Sequence, residues 1–333
     1  MYNSRKILVL VLCLFVLAFW GCKEEEDESF YEPRERTEPD ENSPIVYMTN
    51  DISSEGLIAV YEALGKEASG NVAVKISTGE PGPANSNKYY LAPSLIKDLV
   101  QMVDGTIVEC NTAYGGQRDN TEKHYQIVID HGFTAIAPVV ILDDVEEMSI
   151  PVTGGKNLTE NIIGKKFDDF DFHIVLSHFK GHIEGGFGGA LKNMSIGYAS
   201  SAGKAWIHTG GRSRTSIRGG TQYSFLESMA EAAKSISDKV NGNILYINVM
   251  NNLSIDCDCF SDPVRPTMAD IGILASLDPV ALDQACVDLV YEAHDGKDLI
   301  RRMETKSGLL TLDHAEDIGL GSRAFHLVNL DNK

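Results

Sequence analysis

The sequence predicts an α/β fold, a doubly wound and mostly parallel sheet with helices on both faces, built as one lobe or as two lobes around one cleft. Two observations predict it. Short runs rich in β-branched residues are apolar at nearly every position, which is typical of strands covered on both faces. Longer segments with helical spacing of apolar residues lie between them, so strands and helices alternate. The composition, 43% hydrophobic and 23% charged over 333 residues, is ordinary for a globular protein.

The predicted strands are six apolar runs: 71–78, 105–110, 133–142, 171–179, 243–250 and 270–276. The predicted helices begin after Asp51, at Ala92, at Tyr223 and at Asp278. Asp278-Pro279 combines an N-cap residue with proline at the first helical position. In such folds ligands lie at the carboxyl ends of strands, so the segments that follow strands are the candidate site. Three of them carry polar residues: 110–124, 177–197 and 254–266.

Residues 1–21 predict a lipoprotein signal peptide. A short basic start is followed by an apolar run that ends at Gly21-Cys22, and this end resembles a bacterial lipobox with Trp20 where a small residue is usual. We therefore expect a lipidated Cys22 that anchors the protein to a membrane, with an uncleaved anchor as the alternative. The predicted location is the cell envelope, as an outer-membrane lipoprotein. The acidic run 23–26 resembles a surface-export signal, and a plain soluble spacer is the other interpretation.

Residues 22–44 predict an acidic, disordered tether ahead of an α/β domain over 45–330. From Lys23 to Pro44 there are ten acidic residues against three basic ones and almost nothing apolar, so the segment cannot contribute to a core. The whole chain has a net charge of −19. Nucleic-acid binding needs clustered lysine and arginine, so this charge argues against a nucleic-acid partner.

The most informative segment follows the predicted strand 171–179. It places a glycine-rich turn between His182 and Lys192. Glycine allows positive φ and lets backbone N–H groups approach an anion, while the lysine adds a charge or a nucleophilic amine. The predicted ligand-binding residues of this segment are Gly186, Gly188, Gly189 and Asn193. A tight structural turn with a solvated lysine is the alternative.

Several segments together resemble the domain-of-unknown-function family numbered 362. They include KISTGEPG (75–82), GHIEGGFGGALKN (181–193) and DIGILASLDPVALDQACVDLV (270–290), and the resemblance covers about residues 45–330. Many members of that family carry a ferredoxin-like insertion with two four-cysteine runs. The corresponding stretch after His208 has no cysteine here, which argues against an iron–sulfur cluster and against iron–sulfur redox chemistry.

A more distant resemblance is to the lactate racemase family that uses a nickel-pincer nucleotide. In that family a catalytic histidine, a cofactor-bearing lysine and a nickel-binding histidine have the spacing of His182, Lys192 and His208. The resemblance implies proton transfer next to a carboxylate. A signal peptide without twin arginines implies export as an unfolded chain, which argues against a cofactor loaded in the cytoplasm, whether this nucleotide or an iron–sulfur cluster.

The second catalytic histidine of the racemases corresponds to Gln117 in Gly115-Gly116-Gln117-Arg118. Glutamine cannot exchange a proton near neutral pH, so a two-base reaction would need His124 in its place. Arg118 is predicted to clamp a carboxylate together with Lys192, and the neighbouring Gln117 is a further predicted ligand-binding residue.

A divalent metal ion acquired outside the cell, such as Zn²⁺, is the predicted cofactor. Imidazoles and thiolates suit such an ion. The predicted ligands are His208, His178, Cys257 and Cys259, and His182 is a further available imidazole. The alternative for Cys257 and Cys259 is a pair of buried apolar cysteines. A disulfide between two cysteines separated by one residue on an extended segment would be strained.

Two functions of different classes remain open, and a third, a redox function through Cys257 and Cys259, is disfavoured by the missing cluster insertion. The first is an enzyme-like cleft for a small anionic molecule, a carboxylate, with His182 as general acid or base and with metal-assisted proton transfer or isomerisation as the reaction. The second is a non-catalytic surface protein that captures a ligand or metal with the same residues.

Overall fold

Twelve strands are present in the part of the chain that the computed structural model describes, residues 31–82, 89–259 and 261–332. They are β1 (Ile45–Thr49), β2 (Val72–Lys75), β3 (Thr106–Glu109), β4 (Val139–Ile141), β5 (Glu147–Pro151), β6 (Glu160–Gly164), β7 (Phe172–His178), β8 (Lys180–His182), β9 (Gly186–Gly188), β10 (Ile244–Met250), β11 (Gly272–Ser276) and β12 (His326–Asn329).

The same residues form nine α-helices. They are α1 (Ser54–Ala63), α2 (Pro93–Met102), α3 (Thr121–Asp130), α4 (Ala190–Tyr198), α5 (Ser201–His208), α6 (Gln222–Val240), α7 (Pro279–Glu292), α8 (Lys297–Thr305) and α9 (Leu310–Asp317). Short 3₁₀ turns lie at Phe133–Ala135, Lys165–Asp169 and Leu330–Asn332.

Eight strands make one sheet in the order β12-β1-β11-β10-β7-β2-β3-β4. The five strands from β10 to β4 are parallel, and β11 runs antiparallel to both of its neighbours. Two further pairs, β5-β6 and β8-β9, are antiparallel. The α/β fold with a mostly parallel sheet is therefore confirmed.

Helices cover the sheet on both faces, which explains why its central strands are apolar at nearly every position. On one face α1 and α2 pack through residues such as Leu57 and Leu99 against Ile174 of β7. On the other face Met194 of α4 and Ala285 of α7 belong to the core that includes alternate residues of the same strands. Side chains alternate between faces along a strand, so each central strand contributes to both cores.

The run 133–142 forms less strand than predicted. Gly132 has φ 85°, and the chain then makes the 3₁₀ turn at Phe133–Ala135 before β4 begins at Val139. Pro138 accepts from the Ile107 N–H through its carbonyl but has no N–H to donate to the sheet, and β4 begins at the next residue.

The predicted signal peptide, residues 1–21, and Cys22 lie outside the described residues, so export and lipidation stay predictions. Residues 31–44 form neither a helix nor a strand. Arg34 forms an ion pair with Asp317, and Arg36 forms one with Asp288. Exposed ion pairs of this kind contribute about 0–1 kcal/mol each to the stability of the fold. That residues 22–44 are a disordered tether stays a prediction. In the described part of the chain no helix has both the length and the apolar surface to cross a membrane.

Candidate functional site

A cavity of about 360 Å³ lies at the carboxyl edge of the parallel strands. Strands β2, β3 and β7 are neighbours that run in one direction, so their last residues, Lys75, Glu109 and His178, meet at this edge. Helices α4 and α5 and the segment after β10 complete the wall. They contribute Lys192, Lys204, His208, Cys257, Asp258 and Cys259. The fold thus brings the three predicted segments to one place.

Glu109 organises the floor of the cavity. Its carboxylate accepts from Lys75 Nζ at 2.8 Å, from the Thr78 backbone N–H at 2.9 Å and from Arg118 Nη1 at 3.4 Å. Burial opposes ionisation of this carboxyl group, but the charges of Lys75 and Arg118 outweigh it and lower the Glu109 pKa to about 2. Glu109 is therefore a buried carboxylate that compensates two cations.

The predicted carboxylate clamp, Arg118, is already occupied by partners within the chain. Its Nε donates to Glu80 at 3.0 Å, and its two terminal nitrogens donate to Glu109 and to the Tyr114 hydroxyl. Gln117 is exposed, and its backbone N–H donates to Glu80. The guanidinium borders the cavity, but two carboxylates already compensate its charge. A carboxylate ligand would therefore gain little from binding to Arg118.

Asn193 also has its partners within the protein. Its side-chain oxygen accepts from Lys75 Nζ at 3.1 Å, and its amide nitrogen donates to the Lys75 carbonyl and to the Ser177 hydroxyl. The side chain therefore ties the end of β2 to the end of β7. This contact positions the cavity wall and leaves no amide hydrogen for a ligand.

Lys192 and Lys204 differ from the other cavity cations. Lys75, Arg118 and Lys180 each pair with a carboxylate, whereas across the described residues no carboxylate lies at ion-pair distance from Lys192 or Lys204. Burial and, second, the neighbouring charge of Lys180 together lower the pKa of Lys192 to about 8. Burial also lowers the pKa of Lys204, whose ammonium group donates to the Ala199 carbonyl at 2.5 Å.

His182, at the end of β8, is held with one defined tautomer. Its Nδ1 accepts from the backbone N–H of Gly185 at 2.8 Å and of Glu184 at 3.2 Å. A nitrogen that accepts carries no proton, so the neutral ring carries its proton on Nε2. Burial lowers the pKa of His182 well below 6.5, and Lys192 and His208 add to this effect. His182 is therefore a neutral hydrogen-bond donor at neutral pH.

His178 and His208 are each held by a backbone carbonyl. The Nε2 of His178 donates to the Asn251 carbonyl at 2.6 Å, and the Nδ1 of His208 donates to the Lys204 carbonyl at 2.6 Å. The other nitrogen of His178, Nδ1, is buried without a hydrogen-bond partner, whereas the other nitrogen of His208, Nε2, lies 3.3 Å from the Glu184 carboxylate. A ring that donates to a carbonyl and keeps its second nitrogen free, as His178 does, is in the usual state of a metal-binding histidine.

The predicted metal ligands do not all converge. Within the described chain, the ligand atoms that gather within 4.8 Å of one another belong to His182, Cys257 and Cys259. His178 and His208 line the same cavity without joining this group. Metal binding stays a prediction, and of the three available imidazoles it is that of His182 that lies with the two cysteines.

Cys257 and Cys259 are joined by a disulfide, with their Cα atoms 5.2 Å apart. Asp258 and Cys259 lie in a turn rather than on an extended segment, and the strain that the sequence predicts for this bond stays a prediction. The Cα separation lies within the usual range for disulfides. Cys259 is half-buried and Cys257 is buried, and both border the cavity.

The glycine-rich turn forms a small hairpin, β8-β9. The backbone N–H groups that follow it, which were expected to bind an anionic ligand, instead donate to a carboxylate of the protein. Asp283 of α7 accepts from the backbone N–H groups of Ala190 and Leu191, at the first turn of α4. Gly188 and Gly189 border the cavity, whereas Gly186, with φ 77°, packs near Gly308. The N-terminus of α4 is thus capped by a carboxylate rather than open to a ligand.

His124 lies away from the cavity. It is fully buried on α3, with Nε2 bonded to the Thr78 hydroxyl at 3.1 Å and Nδ1 bonded to Asn111 at 3.3 Å. Burial lowers its pKa to about 3. The structure does not bring His124 to the other predicted catalytic residues.

Comparison with known proteins matches residues 72–288 to the family described as Domain of unknown function (DUF362). The chain belongs to the DUF362 family. The resemblance predicted from the motifs is therefore confirmed at the level of the family. No curated protein matches the chain.

Solved structures give a more distant similarity. The chain is similar to the lactate racemase apoprotein from Thermoanaerobacterium thermosaccharolyticum, with a TM-score of 0.43 and 14% identity over 74% of this chain and 57% of that one. A protein from Thermotoga maritima has a TM-score of 0.43 and 14% identity over 72% of this chain and 58% of that one. The chain thus spans less than two thirds of the length of either structure.

Four charged residues of this DUF362 protein were missed by reasoning from sequence. They are Glu109, Lys180, Lys204 and Asp283. Glu109 ends an apolar strand, and a charged residue at that place is a usable signal because the carboxyl edge of the sheet is the ligand edge. Asp283 gives no such signal, since its partners lie about 90 residues away in the chain.

Gly189→Ala tests the close approach of Asp283 to the start of α4. A Cβ at position 189 would lie 2.3 Å from Asp283 Oδ1, and that carboxylate is held by two backbone N–H groups. We expect a loss of about 1–3 kcal/mol in the free energy of unfolding, the usual cost of overpacking. Gly115→Ala, which meets nothing within 4 Å, is the matched control, and chemical denaturation of both variants measures the difference. Equal stability of the two variants would contradict the expectation.

Proposed function

We propose that the cavity binds a small anionic molecule, a carboxylate, between Lys192 and Lys204. The observation that carries the proposal is the state of these two ammonium groups, which border the cavity with no carboxylate at ion-pair distance in the described chain. A buried charge without a counter-charge is costly, so an anion that enters gains charge-assisted hydrogen bonds from these groups.

The dimensions of the cavity support a small ligand. Its volume of about 360 Å³ falls at the lower end of small-molecule sites. Ile183, Ile196 and Ile217 supply apolar wall next to the two lysines. The proposed ligand is therefore a small molecule with an anionic group and a short body that these apolar side chains can contact.

His182 gives the site an enzyme-like feature. A neutral histidine that donates through Nε2 can stabilise negative charge that develops on a carbonyl or carboxylate oxygen, because the donor is already oriented. The role that we propose for His182 is thus a donor to the ligand, rather than the general base expected from the sequence. Proton transfer next to the carboxylate remains the proposed reaction class, and its catalytic base is left unassigned.

Calorimetric titration with a panel of short carboxylates and inorganic phosphate tests the binding proposal. We expect at least one carboxylate to bind, and Lys192→Met to weaken that binding by about 10-fold or more, since a hydrogen bond to a charged group contributes about 1.5–3 kcal/mol. Lys297→Met, which removes an exposed lysine, should bind as the unchanged protein does. Equal affinities of the two variants would refute the proposal.

Incubation of a bound carboxylate in deuterated water separates the two functional classes. An enzyme that moves a proton next to the carboxylate replaces that hydrogen with deuterium, which proton NMR detects as a lost signal. A binding protein leaves the signal unchanged. His182→Asn should abolish exchange if the Nε2 donor stabilises the developing charge.

A further inference from the structure

A second chemical group borders the same cavity and has no part in anion binding. It is the Cys257–Cys259 disulfide, beside which a ring nitrogen of His182 lies within 4.8 Å of both sulfur positions. In the part of the chain that the structure describes, the other two cysteines, Cys110 and Cys286, are buried and unpaired. The disulfide is therefore placed where a small molecule in the cavity could reach it.

The tautomer of His182 decides between two uses of this cluster. A neutral histidine that ligates a metal through Nε2 would need its proton on Nδ1, yet Nδ1 accepts from Gly185 and Glu184. Nε2 therefore carries the proton, which suits hydrogen bonding to a thiolate and does not suit coordination. Two sulfurs next to an oriented donor fit thiol chemistry better than a metal.

We propose that Cys257 and Cys259 form a redox-active pair that exchanges with a small thiol bearing a carboxylate. The thiolate of the small molecule attacks Cys259 Sγ, the less buried sulfur, and the S–S bond breaks to release Cys257 as a thiolate that accepts from His182 Nε2–H. The product is a mixed disulfide between the small molecule and Cys259.

A second molecule of the thiol completes the reaction. Its thiolate attacks the sulfur of the small molecule in the mixed disulfide and releases Cys259 as a thiolate. The small molecule leaves as its symmetrical disulfide, and both cysteine thiolates take up protons from solvent. Two thiols are thus oxidised and the pair gains two electrons and two protons.

The preference for an anionic thiol rests on the proposed function, because it comes from Lys192 and Lys204. A carboxylate held by these lysines would deliver an attached thiol to the cavity wall that carries the pair. The exchange itself needs only Cys257, Cys259 and His182. Charge preference and exchange can therefore fail separately.

The buried cysteines provide an internal control. Cys110 is 1% exposed, its thiol donates to the Tyr198 carbonyl, and burial raises its pKa above the usual range. Cys286 is fully buried, and burial raises its pKa as well. Neither thiol should react with a small disulfide or alkylating reagent while the protein is folded.

The test measures reduction of the pair in the folded, full-length protein. The protein is incubated with 3-mercaptopropionate or, at matched thiolate concentration, with 2-mercaptoethanol, and differential alkylation is read by mass spectrometry on the peptide that contains both cysteines. We expect reduction of Cys257 and Cys259 without labelling of Cys110, and roughly tenfold faster reaction with the anionic thiol. A pair that is reduced only after denaturation is a structural disulfide, and that result overturns the proposal.

Paired variants test the roles of His182 and Lys192. His182→Asn keeps an acceptor for the Gly185 N–H and loses the Nε2 donor, so exchange should slow by about tenfold. His182→Gln, whose amide reaches further, should recover part of the rate. Lys192→Met should remove the preference for 3-mercaptopropionate, so that its rate falls towards that with 2-mercaptoethanol, whereas the exposed control Lys297→Met should keep the preference. Exchange that persists without any charge preference would count against the proposed anion site alone.

Metal analysis provides the competing outcome. The reduced protein is equilibrated with Zn²⁺, desalted and analysed by inductively coupled plasma mass spectrometry, alongside Cys257→Ser and His182→Asn. We expect the reduced protein and the His182→Asn variant to retain equally little zinc, well below one ion per chain. Zinc that is retained by the reduced protein and lost in both variants would overturn the redox pair in favour of a metal site.

Discussion

Replacing Glu109 with glutamine should destabilise the protein by about 3–5 kcal/mol, the usual cost of removing one partner from a buried ion pair. The carboxylate compensates Lys75 and Arg118, and all three side chains are nearly inaccessible to solvent. Glutamine keeps the shape and one acceptor but leaves two buried cations with a single remaining carboxylate, that of Glu80 on Arg118. Urea denaturation followed by circular dichroism measures the change.

The same residue predicts how stability depends on pH. The Glu109 pKa is lowered to about 2 in the folded protein, against 4.5 for an unperturbed glutamate. Its contribution is therefore complete above about pH 4.5 and is lost as the pH falls towards about 2. Glu109→Gln should lose less stability over that interval than the unchanged protein. Glu292→Gln, at an exposed position, is the control and should follow the unchanged protein. An identical acid profile for Glu109→Gln would contradict the assigned role.

The sheet could be predicted from the sequence because its central strands are buried on both faces. The run 243–250 is apolar at most positions, and β10 forms within it with every residue from Ile244 to Met250 buried. Short elements escaped prediction for the opposite reason. The hairpin β8-β9 has three residues on each side, with lysine, histidine and glycine in it, so no period of two is visible.

The location of the site was also predictable, since parallel strands bring their carboxyl ends to one edge. Which cation remains without a carboxylate partner was not predictable, because pairing joins residues far apart in the chain. Glu80 neutralises Arg118 from 38 residues away, and Asp258 pairs with Lys180 from 78 residues away. Lys192 is a stronger candidate than Arg118 for binding an anion, and this follows only from the positions of these partners in the structure. The tautomer of His182 likewise depends on two backbone N–H groups that a residue pattern does not encode.

The affinity for the anion should fall steeply at alkaline pH, by up to about 100-fold between about pH 7 and pH 10. The pKa of Lys192 is lowered to about 8 by burial and by the charge of Lys180, so its ammonium form dominates below that value and disappears above it. Only the ammonium form attracts the anion, and each pH unit above about 8 can therefore cost up to about tenfold in affinity. The bound anion raises the pKa of Lys192. The difference between this pKa in the free and in the bound protein sets the largest loss of affinity that a rise in pH can cause.

The groups around Lys192 define the control for this experiment. Lys180, Lys204 and Lys75 disfavour its charged form, and Asp258 favours it. His182 does not titrate in this interval, because burial already keeps its pKa well below 6.5. Calorimetric titrations across the interval should therefore show a steep decline for the unchanged protein, a smaller one for Lys204→Met and a nearly flat, weak affinity for Lys192→Met. A flat profile for the unchanged protein would mean that Lys192 does not hold the anion, and Lys204 would then be the residue to test as its main contact.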